Sequence, residues 1–233
     1  ALRQMPGRQA GVAATQELEP SKLPAIAIIG MSGRFPGAPD LQQYWSNLQR
    51  GTISIRTIPP QRWLAEDYYH SDPQQPGKSN SQWGGFLEGI DQFDPLFFAL
   101  SPREAELMDP QQRLFLMEAW RALEQAGYAK HELDKQACGV FVGCGPSDYL
   151  PNLYQHGVDP DALAFTGNSN PILAARIAFL LNLRGPSVVI DTACSSSLVA
   201  VILACESIAA GTSSLALAGG VSVFTTPQTY QLA

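Results

Sequence analysis

The chain has 233 residues, of which 45% are hydrophobic and 15% are charged, and its formal net charge is −6. This composition is that of an ordinary globular protein with enough apolar residues to form a sizeable core. The acidic balance and the lack of a basic run exclude the phosphate-neutralising surface of a nucleic-acid-binding protein. We find no membrane-spanning apolar run and no secretory signal, so we expect a cytoplasmic protein whose thiols stay reduced.

The first half of the chain contains two clear elements. Residues 1–24 lack apolar periodicity and predict a linker or flexible arm, with a short docking helix as the alternative. The β-branched run at 25–30 predicts a strand buried on both faces. Asp40 as N-cap and Gly51 as the terminating residue predict a helix. The apolar face of this helix consists of Leu41, Tyr44, Trp45 and Leu48. We expect long loops over residues 52–100.

The rest of the chain alternates helices and strands. Asp109 at the N-cap and Pro110 at the first helical position predict a helix that ends at Gly127. The elements that follow are a strand at 138–143, a helix at 172–181, a strand at 187–191, a helix at about 195–210 and a strand at 215–220. This alternation predicts an α/β fold with a mainly parallel sheet and helices on both of its faces.

Cys194 is the strongest candidate for a catalytic residue. It lies where a buried strand passes through a tight turn into an apolar helix, the arrangement that exposes nucleophiles in other α/β enzymes. At a helix N-terminus, the helix dipole and unpaired backbone N–H groups favour the thiolate and can stabilise an oxyanion. The small side chains of Ala193, Ser195 and Ser196 leave room for a substrate. The alternative is that Cys194 is a small buried apolar residue.

The other reactive side chains are weaker candidates. Cys138 and Cys205 lie in predicted core elements, and we expect them to be structural. Cys144 follows a strand in a glycine-rich turn, but Asp148 occupies the third glycine position of a nucleotide-binding loop. No group of residues has the spacing of a metal site, so we predict neither a metal nor a directly bound cofactor. We expect the three histidines to lie on the surface; they are His70, His131 and His156.

A series of motifs, in order along the chain, resembles the ketosynthases of modular type I polyketide synthases. The motif around Cys194, Asp191-Thr-Ala-Cys-Ser-Ser-Ser-Leu198, is nearly identical to the active-site signature of that family. The other matching stretches are residues 26–38, 83–87, 93–94, 97–98, 108–114, 167–169, 174–177 and 217–221. The sequence at 25–233 therefore resembles the N-terminal part, an incomplete half, of a ketosynthase (beta-ketoacyl synthase) domain.

The resemblance implies a thiolase-like αβαβα fold and a role in polyketide biosynthesis. In that family, the counterpart of Cys194 accepts an acyl chain from the phosphopantetheine arm of an acyl carrier protein. Decarboxylative Claisen condensation with a malonyl-type extender unit then lengthens the chain. The resemblance thus implies that carrier proteins and the rest of a polyketide synthase module are partners. It also implies a homodimer that pairs along the strand at 187–191.

The sequence departs from the family pattern at the other catalytic positions. Two histidines and a lysine support the reaction in the family, but the His-Gly-Thr-Gly-Thr motif is absent from these 233 residues. We therefore assign only Cys194, and we expect this chain alone not to complete a condensation. A non-catalytic scaffold or docking module is the alternative function. A thiolase or fatty-acid condensing enzyme would share the nucleophile but not the flanking motifs. Half of a two-half core also predicts uncovered apolar faces on the helices at 172–181 and 198–203.

Overall fold

The structure is a computed structural model that describes residues 25–159 and 161–232. The predicted arm at residues 1–24 lies outside the described residues. The elements in chain order are α1 (Leu41–Arg50), β1 (Arg56–Thr57), β2 (Trp83–Gly84), α2 (Pro102–Leu107), α3 (Pro110–Gln125), α4 (Lys130–Leu133), β3 (Cys138–Cys144), α5 (Tyr149–Gln155), α6 (Ala162–Asn168), α7 (Asn170–Leu180), β4 (Ser187–Ile190), α8 (Ser196–Ala209), β5 (Leu215–Val221) and α9 (Gln228–Leu232). Short 3₁₀ turns lie at Ala65–Asp67 and Ala193–Ser195.

The main sheet has three parallel strands in the order β4-β3-β5. In the central strand, Val142 lies opposite Val189 of β4 and Gly219 of β5. All of β3 is buried, whereas β4 and β5 are partly exposed. The predicted α/β fold class with a mainly parallel sheet is confirmed, and among the described strands β4 forms one edge, as expected.

Helices cover both faces of the sheet. Successive side chains of β3 point to opposite faces, so each face of the strand packs against different helices. Val140 and Val142 pack in the cluster that contains Leu123 of α3 and Ile177 of α7. Phe141, between them, packs in the cluster on the other side with residues of α8. The continuous apolar run of β3 is therefore explained by burial on both faces.

The helix-terminus signals of α1 and α3 were predicted correctly. The Asp40 carboxylate accepts a hydrogen bond from the Gln43 N–H at 2.7 Å, and Gly51 ends α1 with φ 64°. Asp109 caps α3 in the same way, and Pro110 occupies its first position. The apolar face of α1 is nevertheless largely open to solvent, since the side chain of Trp45 is 61% exposed.

The predicted strand at residues 25–30 is wrong. The segment pairs with no strand of the described chain, and Ile28 is 79% exposed. It runs instead beside the C-terminal half of α3, where the backbone N–H of Met31 donates to the side chain of Gln125. The Ser32 hydroxyl donates to Glu118 of the same helix. A β-branched run favours extended backbone, but a strand also requires a neighbouring strand, which this segment does not meet.

The loops over residues 52–100 contain only short elements, as expected, but five short helices were not predicted. They are α2, α4, α5, α6 and α9, and none is longer than 7 residues. Such helices span two turns at most, which is too short to show a 3.6-residue apolar period.

The helices α7 and α8 expose apolar side chains, as expected for a partial core. Phe179 of α7 is 90% exposed and Leu198 of α8 is 64% exposed. Single exposed apolar residues are common, but several on one helix form a face that another surface could cover, and α7 and α8 each have such a face on opposite sides of the sheet. None of the helices in the described ranges is long and apolar enough to cross a membrane.

Candidate active site

Cys194 lies in the turn between β4 and α8. It is the middle residue of the 3₁₀ turn Ala193–Ser195, and α8 begins two residues later at Ser196. Its thiol is exposed. The residue before it, Ala193, has φ 55°, which is the left-handed conformation that alanine rarely adopts. A strained residue at a strand–turn–helix junction is typical of turns that present a nucleophile.

The polar residues around Cys194 hold the turn together. The Ser196 hydroxyl accepts a hydrogen bond from the Thr192 N–H at 2.9 Å and donates to the Ala193 carbonyl at 2.7 Å. The Asp191 carboxylate accepts from the Ala193 N–H at 3.0 Å. The Ser195 hydroxyl donates to the Thr192 carbonyl at 2.9 Å. The hydroxyl groups of Ser195 and Ser196 therefore stabilise the turn. The sequence predicted only that these small side chains leave room for a substrate.

Two glycines allow the start of α8 to approach the sheet closely. A Cβ atom at Gly143 of β3 would lie 2.6 Å from the backbone carbonyl carbon of Ser196. A Cβ atom at Gly220 of β5 would lie 2.7 Å from the Cβ of Ser197. Neither distance is possible in a folded protein, so any larger residue would displace the helix that follows Cys194. The two glycines are visible in the sequence. Their meeting at the start of α8 is not, because they lie on strands that are far apart in the chain.

The turn also offers a hydrogen-bond donor beside the thiol. Within the described part of the chain, the backbone N–H of Cys194 donates to no acceptor. An unpaired N–H at the start of a helix is suited to bind a negatively charged oxygen. The exposed thiol and this donor belong to the same residue, so both can reach one carbonyl group.

The other thiols are less accessible than that of Cys194. Cys138 and Cys144 are buried at the two ends of β3, and Cys205 is half-buried in α8. Burial raises the pKa of the Cys138 thiol to about 11 and that of the Cys144 thiol to about 12. Both side chains therefore remain neutral at physiological pH, in agreement with the structural role predicted for Cys138.

The structure places none of the histidines in hydrogen-bond contact with Cys194. His70 lies in a loop beside Asp72, and His156 follows α5, where its ring nitrogen contacts the Asn152 carbonyl at 2.8 Å. His131 lies in α4. All three side chains are exposed, as predicted.

Asp148 has a structural role that the sequence did not suggest. Its carboxylate accepts hydrogen bonds from the backbone N–H and the hydroxyl of Thr225, at 2.8 and 2.6 Å. It also accepts from the same two groups of Thr226, at 2.9 and 3.1 Å. Asp148 thus connects the glycine-rich turn after β3 to the segment after β5 by hydrogen bonds. The described residues contain no cluster of three potential metal ligands.

The sequence matches the family described as Beta-ketoacyl synthase, N-terminal domain, over residues 24–233. Among curated proteins, it is 46% identical over 206 residues to the polyketide synthase PksL of Bacillus subtilis. It is also 46% identical over 231 residues to the polyketide synthase ThaG of Burkholderia thailandensis. The two matches cover 88% and 95% of this chain but only 4% of either relative.

Solved structures give the same result. The oxazolomycin ketosynthase domain OzmH KS7 of Streptomyces albus JA3453 matches with a TM-score of 0.81 and 39% identity. The ketosynthase from module 6 of the bacillaene synthase of Bacillus subtilis 168 matches with a TM-score of 0.75 and 44% identity. Both matches cover 88% of this chain and about a third, 35% and 33%, of the solved chains. The chain therefore belongs to the beta-ketoacyl synthase family and corresponds to the N-terminal part of the thiolase-like ketosynthase domains of polyketide synthases.

Proposed function

We propose that the chain is the acyl-accepting part of a condensing ketosynthase. Its Cys194 thiolate attacks the thioester of an acyl chain carried on the phosphopantetheine arm of an acyl carrier protein. The acyl group moves to the sulfur of Cys194, and the phosphopantetheine thiol leaves. Decarboxylative condensation with a malonyl-type extender unit then lengthens the chain. The protein itself binds no cofactor, because the substrates arrive on carrier proteins.

The exposed thiol of Cys194, at the start of α8, is the observation that carries this proposal. Acyl transfer to a thiol passes through a tetrahedral intermediate with a negatively charged oxygen. The unpaired N–H of Cys194 and the positive end of α8 can stabilise that charge. The side chains that form the turn are already engaged with each other, so only the thiol remains to react.

A second function, a ketosynthase-like scaffold or docking module without chemistry, is supported by the position of the histidines. Nucleophilic thiols normally act with a nearby base, and none of the three histidines contacts Cys194. We propose that Cys194 loads an acyl group, and that condensation requires catalytic histidines that these 233 residues do not contain. Loading and condensation must therefore be measured separately.

Acyl loading can be tested by incubating the chain with an acyl-loaded carrier protein from a polyketide synthase. Peptide mass spectrometry then locates the adduct. We expect acylation of Cys194 alone, loss of the adduct in Cys194→Ala, and no change in the matched variant Cys205→Ala. The same acyl group on coenzyme A tests the thiolase alternative, and we expect much slower loading from it. Equal acylation of Cys194 and Cys205, or none, would favour the scaffold.

The exposed edge of β4 supports a proposal about assembly. Ser187 and Val188 are exposed on this edge strand, and unpaired strand edges readily pair with another chain. We propose that two copies pair along β4 to form a homodimer. Sedimentation velocity should detect a dimer that Ser187→Pro weakens, because the Ser187 N–H points away from β3 and proline cannot donate a backbone hydrogen bond. A monomer at all concentrations would contradict this proposal.

A further inference from the structure

The polar residues at the start of α3 are all hydrogen-bonded except one. Asp109 accepts a hydrogen bond from the Gln111 backbone N–H at 2.7 Å, and the Gln111 side chain accepts from the Val223 N–H at 3.1 Å. The Gln112 side chain donates to the Ser169 carbonyl at 3.2 Å. The fourth polar residue of this stretch is Arg113. Hydrogen bonds within the fold satisfy the side chains of its neighbours, but none satisfies the Arg113 Nε atom.

Arg113 is a buried cation without a hydrogen-bond partner in the described structure. The residue is only 7% exposed, and its Nε atom is fully buried without an acceptor. No carboxylate of the described residues forms an ion pair with it; the nearest aromatic contact is the ring of Tyr149, 5.8 Å from the guanidinium carbon. Burial lowers the pKa of Arg113, but a guanidinium remains charged at physiological pH. A buried charge without a partner at ion-pair distance is costly.

Arg113 lines a cleft of about 360 Å³ that contains a second guanidinium. Arg62 is also in the lining, and it donates to two neutral acceptors, the carbonyls of Phe224 at 3.0 Å and Leu87 at 2.9 Å. Asp91 and Glu106 are exposed members of the lining, and neither forms an ion pair with the arginines. Nearby carboxylates favour the charged form of both arginines without forming an ion pair with either: Asp109 and Asp91 act on Arg113, and Asp148 and Asp91 act on Arg62.

We propose that this cleft binds a carboxylate through Arg113. A carboxylate accepts parallel hydrogen bonds from a guanidinium, so it would give Arg113 an anionic partner that the described residues do not place at ion-pair distance. The lining carboxylates Asp91 and Glu106 repel any anion, and they repel a doubly charged phosphate more strongly than a singly charged carboxylate at the same place. The carboxylate belongs either to a small organic acid or to an Asp or Glu side chain of another polypeptide segment. Carboxylate binding at Arg113 does not depend on the chemistry of Cys194.

Binding can be measured by NMR on the side-chain N–H groups of ¹⁵N-labelled arginine. The chain is titrated with sodium acetate and, in parallel, with sodium chloride at equal ionic strength. We expect the Nε–H resonance of Arg113 to shift saturably with acetate but not with chloride. The variant Arg113→Lys keeps the charge and loses the planar fork, and it should bind acetate about tenfold more weakly. Arg121→Lys, an exposed position on the same helix, is the matched control and should leave binding unchanged.

Two blocked amino acids identify the source of the carboxylate. N-acetylglutamate α-amide has one free carboxylate, on its side chain, and N-acetylglutamine amide is its uncharged control. Tighter binding of the glutamate derivative than of acetate supports a protein side chain; the reverse order supports a small organic acid. No acetate effect beyond that of chloride, or equal affinity in Arg113→Lys, would overturn the proposal.

A second measurement is independent of the variants. A ligand that binds only the native state raises the melting temperature by mass action. The unmodified chain should therefore melt at increasing temperature as acetate replaces chloride. Identical melting curves in the two salts would also overturn the proposal, even if Arg113→Lys failed to fold.

Discussion

Replacing Gly143 with alanine should displace the start of α8 and, with it, the turn that carries Cys194. The added Cβ would lie 2.6 Å from both the carbonyl carbon of Ser196 and the backbone nitrogen of Ser197. These are main-chain atoms, which cannot rotate away as a side chain would. The helix start must therefore move by roughly 1 Å, and overpacking of this kind costs about 1–3 kcal/mol of unfolding free energy. In a chain of this size, each kcal/mol corresponds to about 2–4 °C in melting temperature.

The same displacement should slow acyl transfer. A misplacement of about 1 Å near reacting atoms can reduce a rate about a hundredfold. Thermal unfolding and the rate of Cys194 acylation are measured for Gly143→Ala and for Gly145→Ala. The latter is the matched control, because a Cβ at Gly145 would meet nothing within 4 Å. If both variants melt and react like the unmodified chain, the close approach of helix and strand does not position Cys194.

Three further predictions concern charges and thiols away from the turn. Asp148→Asn should lower the unfolding free energy by about 1–3 kcal/mol, measured by urea unfolding, because an amide cannot accept all four hydrogen bonds from the threonine pair after β5. Because the pKa values of Cys138 and Cys144 are raised from 9.0 to about 11 and about 12, stability should fall as the pH rises above 9, by about 1.4 kcal/mol per pH unit for each thiol. Arg113→Met in chloride should raise the melting temperature, since it removes an unpaired buried charge.

Each of these predictions has a control variant or an outcome that would contradict it. Asp159→Asn changes an exposed carboxylate near α5 and should leave the urea midpoint unchanged. Cys138→Ala should make the loss of stability above pH 9 shallower, because only the unfolded chain releases these thiol protons in that range. An unchanged slope in Cys138→Ala would show that this thiol does not contribute. A lower melting temperature for Arg113→Met would show that the described residues already satisfy the guanidinium.

Local signals predicted the elements that depend on local interactions. Asp109 and Pro110 fix the start of α3 because the cap and the first turn involve only adjacent residues. The apolar run of β3 identified a strand buried on both faces, and its bounds were correct to one residue. The run at 25–30 looked similar, but it can form a strand only where another strand edge is available for pairing. A local sequence pattern does not show whether such an edge is present.

The same distinction applies to the candidate site. The position of Cys194 between a strand and a helix followed from the local pattern. The roles of Gly143 and Gly220 did not, because they arise only when β3 and β5 meet the start of α8. Arg113 likewise could not be distinguished from its hydrogen-bonded neighbours until their partners were known.

The unequal exposure of the four thiols has a consequence for oxidative stress. Hydrogen peroxide reacts with accessible thiolates, and the first product, a sulfenic acid, can be reduced back. Cys194 would be oxidised first, while the sulfur atoms at the two ends of β3 stay shielded in the interior. A mild oxidant would therefore modify the Cys194 thiol reversibly before it damaged the folded core, and a reductant would restore the thiol without refolding.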